Sequence, residues 1–177
     1  MPRPAATPIR GYVPGVFDMF HVGHLNIVRA ARRECDYLIV GVVSDEVVQL
    51  VKGHPPIVPL VERMEIVAAL REVDEVVVDV HADKFDAWRA LRYDVIFKGD
   101  DWRGTPKGVK LESDLMSVGA RVHYFPYTRH TSSTVLRQAL DDLVHPTSWP
   151  PEWAAVIATV SDEELLRRLE HLPAGPA

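Results

Sequence analysis

The sequence predicts an α/β fold: an open, doubly wound parallel sheet covered by helices, with a short helical appendage at the C-terminus. Three observations predict it. Short runs rich in Val, Ile and Tyr alternate with longer amphipathic stretches, an order that places crossover helices over parallel strands. A chain of 177 residues amounts to one domain with room for a short addition. Hydrophobic residues make up 47% and charged residues 25%, so the chain can bury a sizeable core and is not predominantly disordered.

Residues 1–10 form a Pro/Ala-rich lead without the apolar centre of a signal peptide. The strand signals are Gly11 to Phe17, Tyr37 to Val43, Glu75 to Val80, Val95 to Lys98 and Val122 to Phe125. Between them, Leu25 to Arg33 places Leu25, Val28 and Ala31 near a helical period, with Arg29, Arg32 and Arg33 toward the other face. Helical patterns also fit Val61 to Leu70, Phe85 to Leu91, Leu111 to Val118 and Val135 to Leu143, with a shorter one at Val47 to Val51. Residues 11–144 are thus expected to form the domain. Residues 145–177 read as a Pro-rich linker followed by a helix from Ser161 to Leu169, whose Ser161 and Glu164 have capping-box spacing.

Composition narrows the partners. The net charge of -5 provides no overall basic field for a nucleic-acid backbone or an anionic membrane, so an anionic ligand must be met by local chemistry. Cys35 is the only cysteine, which excludes an intrachain disulfide and a cysteine metal cluster. No apolar stretch approaches the ~18 residues that span a bilayer. The expectation is a cytoplasmic protein without nucleic-acid or membrane partners.

In a doubly wound sheet, ligands sit at the carboxyl ends of the strands near the switch in strand order. Directly after the first strand comes Gly15-Val16-Phe17-Asp18-Met19-Phe20-His21-Val22-Gly23-His24, and a helix begins at once. Gly23 and a helix N-terminus offer backbone N–H groups to an anion, and His21 and His24 can flank it. That arrangement suits a polyphosphate. Two other readings stand beside it: a two-histidine metal site, for which no third ligand follows at metal spacing, and histidines that merely cap or pack.

The segment Gly15 to His24 resembles the Gly-x-Phe-Asp-x-x-His-x-Gly-His signature of the nucleotidylyltransferase superfamily, the cytidylyltransferase-like group. Three further segments resemble it in order. Lys52 precedes Glu62-Arg63 and a helix ending in Arg71-Glu72-Val73-Asp74-Glu75-Val76. Lys98-Gly99-Asp100-Asp101-Trp102 looks like the glycerol-3-phosphate cytidylyltransferases, where heptose-phosphate adenylyltransferases tend to carry Gly-Gly-Asp-Tyr. Thr128 to Thr134 looks like the family's terminal Arg-Thr-x-Gly-x-Ser-Thr-Thr loop, but with Tyr127 at the usual arginine, Arg129 at a polar position and His130 at the glycine. The likeness spans Gly11 to Leu143.

The resemblance implies a Rossmann-like sheet and transfer of CMP from CTP, with Mg²⁺ accompanying the triphosphate, to a small phosphorylated alcohol, with glycerol 3-phosphate the first candidate. The alternatives are an adenylyltransferase for a sugar phosphate using ATP, a cytidylyltransferase for phosphoethanolamine or a phosphonate, and a nucleotide-binding regulator that has lost catalysis. By the same resemblance His21, His24 and Lys52 carry catalysis. Val16, Phe17, Asp18, Gly23, Arg71, Gly99, Asp100, Asp101, Trp102, Thr128, Arg129, Ser132, Ser133 and Thr134 are expected around the nucleotide, and Lys52, Arg63 and Lys84 around the acceptor. Arg129 is the candidate to replace the arginine absent at Tyr127. No protein ligand is assigned to the metal, and family habit implies a homodimer.

Overall fold

The structure, a computed structural model, describes residues 7–126 and 132–144. Thr128, Arg129 and the linker and helix expected over residues 145–177 lie outside the described residues. Five strands, β1 Arg10–Gly15, β2 Tyr37–Val43, β3 Glu75–Asp79, β4 Val95–Gly99 and β5 Arg121–Phe125, form one parallel sheet in the order β3-β2-β1-β4-β5. The chain winds outward from β1 to β3, then returns across β1 to begin β4. The switch in strand order therefore lies between β1 and β4, as a doubly wound sheet requires.

The helices are α1 Val22–Arg32, α2 Asp45–Lys52, α3 Leu60–Ala68, α4 Lys84–Leu91, α5 Pro106–Met116 and α6 Ser133–Val144, with a 3₁₀ turn at Asp100–Trp102. Their starts are written in side-chain caps: Ser44 Oγ accepts from Val47 N at 3.4 Å, an Asp83 oxygen from Phe85 N at 2.9 Å, and Thr105 Oγ1 from Gly108 N at 3.0 Å. Capping corrects two expected boundaries. His21 starts α1 three residues before Leu25, and Thr105 with Pro106 at the first position starts α5 well before Leu111.

Side chains alternate across each strand, so the sheet has two cores. On one face Val13, Leu38, Val40, Val42, Val95 and Phe97 pack with Val28 and Ala31 of α1 and Val67 of α3. On the other, Tyr12, Ile39 and Ile96 pack with Ala87 of α4 and Leu111 and Leu115 of α5. Tyr12 can lie flat across β2 only because Gly41 is there; a Cβ at that position would stand 2.2 Å from the Tyr12 hydroxyl. Tyr12 stacks on Tyr93 with ring centroids 4.9 Å apart.

The chain separates into two compact units, Met1–Leu136 and Arg137–Ala177. In the second, the described residues are 137–144 of α6, where Gln138 Nε2 donates to Asp142 Oδ1 at 2.9 Å. Among the described residues no helix is long and apolar enough to cross a membrane.

Candidate active site

β1 ends at Gly15, short of the expected Phe17, because the backbone leaves the extended region there. Phe17 and Met19 take left-handed φ values of 56° and 47°. Non-glycine residues in that region are strained, and strain collects where a loop has a task to perform. The turn they make carries Asp18 between them and delivers His21 to the N-terminus of α1.

His21 is the cap of α1. Its Nδ1 accepts from Gly23 N at 3.0 Å, and His24 Nδ1 accepts from His21 N at 3.4 Å. A ring nitrogen that accepts carries no proton, so each neutral imidazole holds its proton on Nε2. His21 Nε2 lies 3.4 Å from Ser133 Oγ, whose own hydroxyl donates to Asp18 O at 2.7 Å. The rings are 3.9 Å apart between centroids, and His24 also touches Phe17 and Phe20. Burial first, and the neighbouring His21 next, push the His24 pKa down to about 3, with Lys52 acting the same way and Asp18 opposing. Burial lowers His21 as well. Capping and ligand binding are thus compatible: the Nδ1 atoms cap, His21 Nε2–H meets Ser133 Oγ, and His24 Nε2–H makes no hydrogen bond among the described residues at this helix N-terminus.

Two buried charges hold this loop against its neighbours. Asp18 is 3% exposed, and its carboxylate accepts from Ile57 N and Val58 N at 2.9–3.1 Å, pinning the segment after Lys52 to the histidine loop. Arg63, on α3, is wholly buried. It donates to Val58 O and Val43 O at 2.8 and 2.9 Å, to Val16 O, and to the Asp45 carboxylate. This corrects the expectation that Arg63 contacts the acceptor. A guanidinium with no exposed surface and four of its five N–H donors on groups of the chain is closed to a ligand, and it acts as a brace.

The other face brings a second group to the same edge of the sheet. Asp79, at the carboxyl end of β3, is 1% exposed. It receives His81 N at 3.0 Å and Lys84 Nζ at 2.5 Å, and Lys84 also donates to His81 O at 2.5 Å. Lys98, near the end of β4, is 7% exposed, with its ammonium 4.0 Å over the Trp102 ring. Burial foremost, then Lys84, lower its pKa to about 7 against the pull of Asp79 and Asp101. Tyr12 Oη is buried and makes no hydrogen bond among the described residues, although Asp79 is close enough to add to the upward push of burial on its pKa. Lys98, Asp79 and Tyr12 were not expected from the sequence.

The remaining candidates are dispersed. Lys52 ends α2 exposed before Gly53, whose φ of 77° favours glycine. Arg71 is 86% exposed, with Glu72 as its ion pair at 3.3 Å, the solvated charge at a helix end that was its plainer reading. Asp100 and Asp101 are exposed in the 3₁₀ turn capped by Gly99. Ser132 Oγ accepts from Val135 N at 3.2 Å as an ordinary helix cap, and Thr134 is exposed. Among the described residues no three His, Cys, Asp or Glu side chains come together as a metal site. A pocket of about 420 Å³ between α3 and β3, lined by Met64, Glu65, Ala68 and residues 73–76, contains none of the candidate residues.

A capped histidine pair at the switch point of a parallel sheet, with cations beyond it, defines a protein built to handle phosphates. Residues 12–139 match the family described as cytidylyltransferase-like, and the chain belongs to that family. It is 42% identical over 132 residues to the ethanolamine-phosphate cytidylyltransferase of Arabidopsis thaliana, a match covering 72% of this chain and 31% of that protein. It is 37% identical over 120 residues to the FAD synthase of Pyrococcus horikoshii, covering 67% of this chain and 81% of the synthase. A third relative, the bifunctional protein HldE of Gluconacetobacter diazotrophicus, is 42% identical over 113 residues, 23% of its length. The chain thus spans about a third of the plant relative, a quarter of HldE and four-fifths of the synthase. The crystal structure of a lipopolysaccharide core biosynthesis protein from Thermoplasma volcanium superposes with a TM-score of 0.60 at 24% identity, covering 71% of this chain and all of that one. That likeness concerns the fold.

Proposed function

We propose that this chain transfers a nucleotidyl group from a nucleoside triphosphate, CTP in the first instance, to the phosphate of a small phosphorylated alcohol such as glycerol 3-phosphate. The observation that carries the reading is the histidine pair, whose Nδ1 atoms are engaged by backbone N–H groups while the Nε2–H groups, that of His21 at 3.4 Å from Ser133 Oγ, stand at the start of α1. An acceptor phosphate oxygen attacks the α-phosphorus, the bond from that phosphorus to the bridging oxygen breaks, and pyrophosphate leaves. His21 and His24 donate to oxygens on which charge accumulates, and as neutral donors they need no proton exchange during the step. Ser133 sets the His21 ring, Lys52 supplies a cation at the end of α2, and Lys84 stands on the acceptor side. Mg²⁺, when bound, neutralises the triphosphate; it keeps few protein ligands, and the one buried carboxylate beside the histidines, Asp18, is engaged by Ile57 and Val58.

The Gly-Asp-Asp-Trp sequence after β4 and the 42% identity to a cytidylyltransferase favour CTP. Adenylyl transfer is the second reading, favoured by the FAD synthase relative, most of whose length the chain covers. The test is pyrophosphate release with Mg²⁺, running CTP and ATP separately against glycerol 3-phosphate, phosphoethanolamine and sugar phosphates. Release with CTP and one acceptor is expected. Release with ATP alone assigns the second reading, and binding of nucleotide with no release across the panel overturns both.

A further inference from the structure

Lys98 is the buried group that the transfer reading leaves unused. Lys98 is 7% exposed, and its ammonium faces the Trp102 ring at 4.0 Å with no hydrogen-bond acceptor among the described residues. An ammonium withdrawn from water without a partner is costly, and such a group is normally balanced by an anion. The buried carboxylate nearby does not serve: Asp79 is held by Lys84 at 2.5 Å and by His81 N. Two lysines thus share one buried carboxylate, with the exposed Asp101 as the further negative charge acting on Lys98, so the buried part of the cluster is short of negative charge at the carboxyl edge of the sheet, where ligands of such sheets bind. We propose that Lys98 is the second cation of an anion seat, formed with Lys84, that takes the phosphate of an acceptor whose organic part bears no ammonium group.

The second half of the proposal follows from what occupies the cluster. A substrate ammonium is held by a buried carboxylate, by an aromatic face, or by both. Here each is filled by the chain itself: Lys84 sits on Asp79, and Lys98 sits 4.0 Å over Trp102. A phosphoethanolamine-like acceptor would bring a third ammonium to a place whose receptors are taken. An alcohol phosphate brings only the negative charge that the two lysines lack. The inference rests on the nucleotidyl-transfer reading for the identity of the anion, but the seat itself can be tested without turnover.

The test has two arms. In the kinetic arm, Lys98→Met, which keeps the stem and removes a desolvated charge, is expected to raise the KM for glycerol 3-phosphate roughly 10- to 100-fold, the worth of a charge-assisted contact, with the KM for the nucleotide within about 3-fold of wild type. Wild type is expected to prefer glycerol 3-phosphate to phosphoethanolamine, and Lys98→Met to narrow that preference by freeing the Trp102 face. An unchanged acceptor KM overturns the seat, and wild-type preference for phosphoethanolamine overturns the exclusion of ammonium. In the second arm, acetylation of Lys98 by limiting acetic anhydride is followed by mass spectrometry at neutral pH. Protection by millimolar glycerol 3-phosphate or inorganic phosphate, and none by ethanolamine, is expected. If no acceptor is turned over and Lys98 is still protected, the seat stands and the transfer reading fails; if Lys98 is not protected by either anion, the seat fails whatever the turnover.

Discussion

The two faces of the sheet reach its carboxyl edge with opposite solutions to the problem of a polyanion. On the α1 face burial disfavours the charged form of both imidazoles, and His21 adds to the effect at His24; their Nδ1 atoms are fixed by backbone N–H groups and their Nε2–H groups are donors, that of His21 shared with Ser133 Oγ. On the α4–α5 face two ammoniums crowd one buried carboxylate, with the exposed Asp101 as the other negative charge acting on Lys98. Neutral donors set in place before the ligand arrives contribute most where charge develops during a reaction. Net charge contributes to holding an anion already formed. On the proposed nucleotidyl-transfer reading, the difference gives chemistry to the histidine face and capture of the acceptor to the lysine face.

The largest effect is expected on the histidine face. His24→Ala removes one fixed donor and should lower kcat by roughly 10²–10³ while leaving the acceptor KM nearly unchanged, the reverse of the pattern expected for Lys98→Met. Steady-state kinetics on both variants break the comparison if the two patterns coincide.

A similar free energy, spent on stability, is expected at Arg63. Arg63→Met leaves Val16 O, Val43 O and Val58 O without their donor. Breaking a buried charged contact costs about 3–5 kcal/mol, and the lower end applies because Asp45 keeps access to water. Urea unfolding should show this loss, and a change under 1 kcal/mol would mean the brace is relieved by rearrangement. Since Arg63 reaches the histidine loop and not the Asp79 cluster, the variant that still folds should lose nucleotide binding before acceptor protection of Lys98.

How much of this could be read in the sequence follows the same division. The histidine face is local: Asp18, His21, Gly23 and His24 lie within one strand-turn-helix, and a ten-residue motif displays them together. The lysine face is assembled from β3, the start of α4 and the end of β4, and the two strands are far apart in the sequence and separated by β2 and β1 in the sheet. A signal was nonetheless present for the burial of Lys98 and of Arg63. Lys98 falls two residues after Ile96 in a short buried strand, so alternation sends it to the same face as the Tyr12 core. Arg63 falls on the apolar stripe of α3, with Leu60, Met64 and Val67, where a solvated charge does not belong. Its acidic neighbours Glu62 and Glu65 gave the appearance of a surface cluster. The strand ends were legible to within two residues and five of the six helix starts to within three; the start of α5 was not, because its Thr105 cap and Pro106 lie outside the apolar period.

The pH dependence distinguishes the faces next. An unfolded His24 takes up a proton below about pH 6.5, whereas the folded side chain does so only near 3. The unfolded state therefore binds more protons across that window, and stability falls as pH drops through it, by at most about 1.4 kcal/mol per pH unit for one group. His24→Asn should flatten the fall of melting temperature between pH 6 and 4. Lys98 acts in the same direction at higher pH: its folded pKa of about 7 against 10.5 makes stability rise from neutral pH toward alkaline pH. Lys98→Met should abolish that rise and leave the acid limb intact, and a single variant that altered both limbs would show that the two faces titrate as one.

The smallest effect is expected at Tyr12, and it decides whether the lysine face is a hydrogen-bonded network or a cluster of charges. The hydroxyl is buried, without a hydrogen bond among the described residues, yet beside the Asp79 carboxylate. Removing a hydroxyl that lacks a partner relieves a desolvated polar atom, so Tyr12→Phe should leave stability unchanged or raise it by up to about 1 kcal/mol. The ring would still stack on Tyr93 and still require Gly41. If instead the variant loses 2 kcal/mol or more in urea unfolding, the hydroxyl donates to Asp79 in solution. Asp79 would then be shared between a phenol and Lys84, its hold on Lys84 would be weaker, and the excess positive charge offered to an anion would be larger than the ion pair alone implies.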